Sequence, residues 1–153
     1  MAEVALSIFT AIVIAAISSW ITVQLSLRKF RAEQWWERKA EAYSKIIEAL
    51  HNSKAFSDQH LEAEYEARKL PEERSKELRL RAKAAHDEIL KNIDVGSFLL
   101  SDEALSRLKQ YQKEVEQAGK YQMWWQYLEA DWSATNECLK DLIEIAKRDL
   151  KTK

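Results

Sequence analysis

SSWITVQLSLRKFRAEQWW, residues 18–36, passes from an apolar run into a cluster of charges with no proline, glycine or turn signal between them. From Val4 to Leu27 there is no charged side chain. About 20 helical residues cross a bilayer core, so a run of about 24 is long enough to span it with some tilt. A cleaved signal peptide has a basic start, a shorter apolar stretch and a small-residue cleavage site. Here the run follows Met1-Ala2-Glu3 and is too long for that pattern. A buried core helix of a soluble domain rarely stays uncharged for this length. The segment 1–27 therefore reads as an uncleaved transmembrane helix, with Trp20 near one interface.

The charges beyond it set the orientation. Arg28, Lys29, Arg31, Arg38 and Lys39 outnumber Glu33 and Glu37. Cytoplasmic flanks collect Lys and Arg, which places the N-terminus outside and residues 28–153 in the cytoplasm, at a cell inner membrane. Within the apolar run, Ser7, Ala11, Ala15, Ser18, Thr22 and Ser26 fall within about 100° of helical arc. Small side chains let helix backbones approach closely in lipid, so this stripe reads as a self-assembly face. Phe9, Ile12, Val13, Ile17 and Val23 occupy the other side.

The rest of the chain is written for helices. Among 153 residues there are two glycines and one proline, and Ala, Glu, Lys, Leu and Arg dominate. Trp36, Ala40, Tyr43, Ile47 and Leu50 continue a helical face, within about 40° of the small-residue stripe. No breaker precedes His51-Asn52-Ser53, so one helix is expected from about residue 3 to 53, about 75 Å long. On that reading the membrane and cytoplasmic halves share one rod. A short polar segment follows from Ser57 to Lys69, with Ser57 or Asp58 as its cap. Pro71 opens the next helix, whose face is Leu78, Ala82, Ala85, Ile89 and Ile93 and which Gly96 caps. Ser101 caps another, bearing Leu105, Leu108, Tyr111 or Gln112, and Val115. After Gly119 the last helix carries Leu128, Trp132, Thr135, Leu139, Leu142 and Ala146. The expected fold is all-α, a membrane helix continuing into a bundle of about four helices.

Two features exceed what a small bundle needs. Trp35-Trp36 and Trp124-Trp125 are paired tryptophans that an antiparallel bundle is expected to bring together below the bilayer, as core and interfacial packing or as a contact site. The connection Val95-Gly96-Ser97-Phe98-Leu99-Leu100 is apolar, so it is buried or used for contact with another subunit.

Formal net charge is −1, which gives no general pull towards nucleic acid. Cys138 is the single cysteine, and with only His51, His60 and His86 nothing in the sequence arranges a metal site. There is no glycine-rich phosphate loop and no nucleophile elbow, and no cofactor is implied. One catalytic pattern is present: Arg81-Ala82-Lys83-Ala84-Ala85-His86 fits R-x4-H. That spacing resembles the motif of HEPN-type ribonucleases, in which arginine holds phosphate and histidine moves a proton. Ala82 stands where that motif often has a polar residue. Arg81 and His86 lie about 140° apart on one helix, so a shared site would need a second chain.

Taken together, an N-terminal membrane helix, a small helical cytoplasmic domain and R-x4-H resemble the pore-forming, HEPN-like membrane accessory proteins of type VI CRISPR systems. The resemblance covers the layout of the chain, with Arg81 and His86 as the matching residues. It implies ring assembly, action against membrane integrity in antiviral defence and no need for catalysis. The WWERK segment, residues 35–39, also resembles that of bacterial single-pass proteins with no assigned role. Three functions follow as expectations. One is a self-assembling membrane effector contacting lipid and copies of itself. The others are a tether for a cytoplasmic protein partner and a membrane-anchored RNA-binding or RNA-cutting module.

Overall fold

The computed structural model describes residues 2–151, with side chains from Val13 onward. The chain is all-α: α1 (Ala2–Tyr65), α2 (Glu72–Val95), a 3-10 turn (Gly96–Phe98), α3 (Asp102–Ala118) and α4 (Trp124–Lys151). It divides into two compact units, one ending at Glu37 and the other beginning at Arg38. In the first unit the described apolar side chains of α1, from Val13 to Phe30, are exposed.

The second unit is an up-down-up-down bundle. Tyr43 meets Asp149 and Ser57 meets Asp131, so α4 runs antiparallel to α1. His60 meets Ser75 at the start of α2, which also runs back along α1. Arg107 bonds Asp141 and Arg148 bonds Glu103, so α3 and α4 are antiparallel too. The main core gathers Tyr43, Ile46, Leu50, Ile89, Leu108 and Leu142, all essentially inaccessible. A second cluster, Phe56, Leu61, Leu78 and Leu128, lies towards the other end. At about 1.5–3 kcal/mol for each fully buried large apolar side chain, these two clusters supply most of the favourable term in folding.

Helix α1 does not stop near residue 53 as its sequence suggests. It continues to Tyr65, and Ser53 and Ser57, which look like a break or a cap, are buried in the bundle. Ser57 is fully buried and donates to Asp131 of α4, so it is no cap for a new helix. Asp58 accepts from the Trp132 indole. The buried face also shifts by one position: Ile46 is fully buried and Ile47 only partly, while Trp36 is exposed. Ala42, Ala49 and Ser53 complete a face that the expected stripe left out.

The end of α1 is built without glycine. Ala67 has φ 51°, and its N–H and that of Arg68 bond back to Glu64 and Ala63. This is the paired closure in which a left-handed residue ends a helix, a place glycine usually takes. Beyond it, Pro71 precedes α2, and Glu72 and Glu73 sit in the first turn, where the helix dipole favours them. Ser101 accepts from the Ala104 N–H at 3.3 Å and caps α3. Gly96 caps α2 with an ordinary right-handed φ of −79° and leads into the 3-10 turn. The connection from Val95 to Leu100 splits: Leu100 is buried and Leu99 packs against the core, while Val95 and Phe98 are exposed. Because Ala67 carries a Cβ in left-handed backbone, Ala67→Gly should raise stability by roughly 0.5–1 kcal/mol in urea unfolding.

Candidate functional site

Polar side chains concentrate at two levels of the bundle. The first lies between the two apolar clusters. Asp131 of α4 is 6% exposed and accepts from Ser57. One turn on, Thr135 donates to the Asp131 carbonyl at 2.8 Å, and the Tyr111 hydroxyl lies 3.4 Å from Thr135 Oγ1. Burial pushes the Asp131 carboxyl above its ordinary value, against the hydrogen bond from Ser57 and the charge of His86. Burial and then the charge of Asp131 push Tyr127 up to about 12. Burial likewise takes the Cys138 thiol, fully inaccessible, to about 12, which makes it a poor nucleophile. Among the described residues no buried side-chain nitrogen or oxygen lacks a hydrogen-bond partner. A satisfied layer of this kind fixes which helix faces meet.

The second level lies where α1 enters the bundle. Tyr43 donates to Asp149, with Ser101 Oγ 3.3 Å from the phenol oxygen. Lys39 lies 3.5 Å from the same carboxylate. Burial pushes Asp149 up, but hydrogen bonds from Tyr43 and Ser101 and the charge of Lys39 outweigh it and hold it below the ordinary carboxylate value. Burial, then the bond to Asp149, takes Tyr43 to about 12.

The residues singled out in the sequence fall as follows. Ser7 and Ala11 lie outside the described side chains, and Ala15, Ser18, Thr22 and Ser26 are exposed on α1. Thr22 donates to the Ser18 carbonyl at 2.8 Å, so its hydroxyl is satisfied within its own helix. Arg28, Lys29, Arg31 and Arg38 are exposed, whereas Lys39 belongs to the bundle through Asp149. Trp35 and Trp36 are exposed. Trp124 packs with Phe56, His60 and Tyr127, at ring-centre distances of 6.2, 5.7 and 5.4 Å. Antiparallel packing thus has an outcome the sequence reading did not anticipate. It brings Asp149, from the end of α4, beside Lys39 and Tyr43, and carries Trp124 and Trp125 to the far end of the bundle. His60 Nδ1 donates to the Phe56 carbonyl at 2.8 Å, leaving Nε2 facing Ser75 Oγ at 3.1 Å.

Arg81 and His86 do not form one site in the chain. Arg81 is exposed and paired with Glu77 at 2.7 Å, in a groove shared with Lys45, Glu48 and Asn52 of α1. His86 is half-buried and acts on Asp131. Among the described residues, no three His, Cys, Asp or Glu side chains converge to hold a metal. Also among the described residues, no helix is long and apolar enough to cross a membrane. Along the uncharged run the described side chains begin only at Val13, and those from Val4 to Ile12 lie outside them.

Asp131 was not singled out from the sequence, and Ser57 was read only as a cap, though a signal for the acid was there. Leu128, Asp131, Thr135, Cys138 and Leu142 alternate spacings of three and four, which puts the acid inside the buried stripe. No family model, curated protein or solved structure matches the chain.

An acid whose folded-state pKa lies above its unfolded value holds its proton more tightly in the folded chain. The stability linked to Asp131 is therefore present at low pH and lost as pH rises from the unfolded value through the raised one. In urea unfolding, the stability of Asp131→Asn relative to wild type should improve as pH rises from about 3 to about 7.

Proposed function

We propose that this chain is a single-pass membrane protein that self-assembles through α1 and the bundle and acts as a membrane-perturbing or pore-forming effector in defence or stress. The observation that carries the reading is the exposed apolar surface of α1. Ile14, Ile17, Trp20, Ile21, Val23 and Leu25 are each between 46% and 66% exposed, along a stretch with no charge before Arg28. Water covers such a surface at a cost of about 25 cal/mol per Å², and lipid removes that cost. With Val4 to Ile12 included, the uncharged run reaches the length of a span. The basic residues from Arg28 to Arg38 then favour a cytoplasmic bundle at the inner membrane.

The internally bonded Thr22 hydroxyl suits a lipid environment, since the group needs no outside partner there. Thr22 then serves the small-residue face by its size. The layout shared with pore-forming HEPN-like accessory proteins points the same way. A tether for a cytoplasmic protein partner is the second reading, and the half-open grooves on the bundle favour it. The RNA-cutting reading has less support, because Arg81 is held by Glu77 and His86 turns to the interior.

Native mass spectrometry of the full-length chain in mild detergent tests self-assembly. A closed ring of about six or more copies is expected, and a monomer would retire the effector. Ser18→Leu with Thr22→Leu should break the assembly and abolish toxicity on expression, whereas a plain tether would keep holding its partner. Arg81→Ala should leave the toxicity unchanged; loss of it with the fold intact would revive the catalytic reading.

A further inference from the structure

Between α1 and α4, at the end of the bundle where α4 begins, runs a groove of about 620 Å³. Its floor is Leu61 and Trp132, and Asp58, Glu62, Glu66 and Glu129 stand along it. No basic side chain lines it. Two neighbouring cations temper the charge: Lys54 lies 4.0 Å from Asp58 and 5.3 Å above the Trp132 ring, and Arg68 bridges Glu62 and Glu66. Four carboxylates against two cations leave the groove acidic. Trp125 lies on the same face of α4 as Glu129 and Trp132, four and seven residues before them, and is 46% exposed.

A stripe of opposite character lies on α2. Lys76, Leu80 and Lys83 are spaced four and three apart, so they share one face, and Arg79 adjoins it. Leu80 is 60% exposed, a large apolar side chain placed between two lysines. Lys76, Arg79 and Lys83 are exposed and in no ion pair among the described residues. The stripe spans about 10 Å of helix, and the groove side of α1 from Asp58 to its end at Tyr65 also about 10 Å, with Glu66 just beyond. A leucine between two lysines fits an apolar floor between carboxylates.

The Lys76 end of the stripe also lies at the level of the groove. His60 meets Ser75 at 3.1 Å and Gln59 meets Arg74 at 2.9 Å, so the start of α2 lies beside the part of α1 that forms the groove. Copies standing side by side with parallel axes would present stripe and groove to each other after a slide of about one helical turn along the bundle. Such a contact joins two different patches, so each copy offers one of each, and repetition about an axis along the bundle closes a ring.

We infer that the Lys76–Leu80–Lys83 stripe of one copy docks in the Leu61–Trp132 groove of the next copy. This rests on the self-assembly proposed above and names the contact that carries it in the bundle. Leu80 leaves water against Trp132, and the lysines pair with Glu62 and Glu129. The cations set the order of copies more than they set affinity.

The test uses the full-length chain in mild detergent, with native mass spectrometry for size and far-UV circular dichroism for helicity. Lys76→Glu with Lys83→Glu should keep wild-type helicity and lower the assembled fraction about tenfold. Glu62→Lys with Glu129→Lys should do the same, and all four changes in one chain should restore assembly. In parallel, Lys76→Cys in one tagged copy should form a disulfide with Glu62→Cys in a second on oxidation, native Cys138 being buried. A wild-type ring that survives the α2 reversal and gives no such disulfide overturns this contact and leaves self-assembly standing. Reversals that break the ring without mutual rescue overturn it as well. A wild-type chain that is monomeric removes both.

Discussion

The bundle depends on covering one face of α1, from Ala42 to Ala63. Tyr43, Ile46, Leu50 and Ser57 on that face are at most 1% exposed, and no other helix supplies so long a continuous buried surface. A helix in isolation cannot shelter such a face, and its own hydrogen bonds leave it marginal in water. α2 and α4 lie antiparallel along it, and α3 closes the fourth side by packing closely on α4. The small residues Ala104, Ala118 and Ala134, all buried, permit that approach.

Specificity in this arrangement comes from the polar level inside it. Apolar clusters alone tolerate sliding and rotation, because the hydrophobic effect has no direction. Ser57 on Asp131, and Tyr111 beside Thr135, tie three helices at one height. Tyr43, Ser101, Lys39 and Asp149 tie them again at the other end. A slip of one helical turn would leave a buried carboxylate without its donor, a loss of several kcal/mol. The carboxyl of Asp131 is pushed up by burial and that of Asp149 is held down by its donors, so the two levels respond to acid in opposite senses.

Outside the core, charge and apolar surface are distributed unevenly. α1 exposes an apolar stretch before Arg28, the bundle carries an acidic groove floored by Trp132, and α2 carries lysines around an exposed leucine. None of these improves the stability of one soluble copy. The proposed function assigns lipid or another copy as the neighbour of each, which makes it one of assembly at a membrane. Arg81 and His86, the one pair that suggested catalysis, serve two separate surroundings instead.

Much of this was legible in the residues. The scarcity of glycine and proline set an all-α chain, and the apolar periodicities located the helices and most of their inner faces. The Ser101 cap and the acidic first turn of α2 follow from local hydrogen bonding and the helix dipole, which need only neighbours in sequence. What sequence could not give was the partner of each polar side chain. His51-Asn52-Ser53 and Ser57-Asp58 read as a helix break, because serine and aspartate in isolation compete for the backbone. Only the arrival of Asp131 and Trp132 from α4, more than 70 residues away, gave Ser57 and Asp58 partners other than their own backbone, and α1 stays helical to Tyr65. Likewise the placement of Trp124 beside His60, and of Lys39 beside Asp149, depends on the direction of α4. Local chemistry thus decided where helices form, and long-range pairing decided where they end and what they enclose.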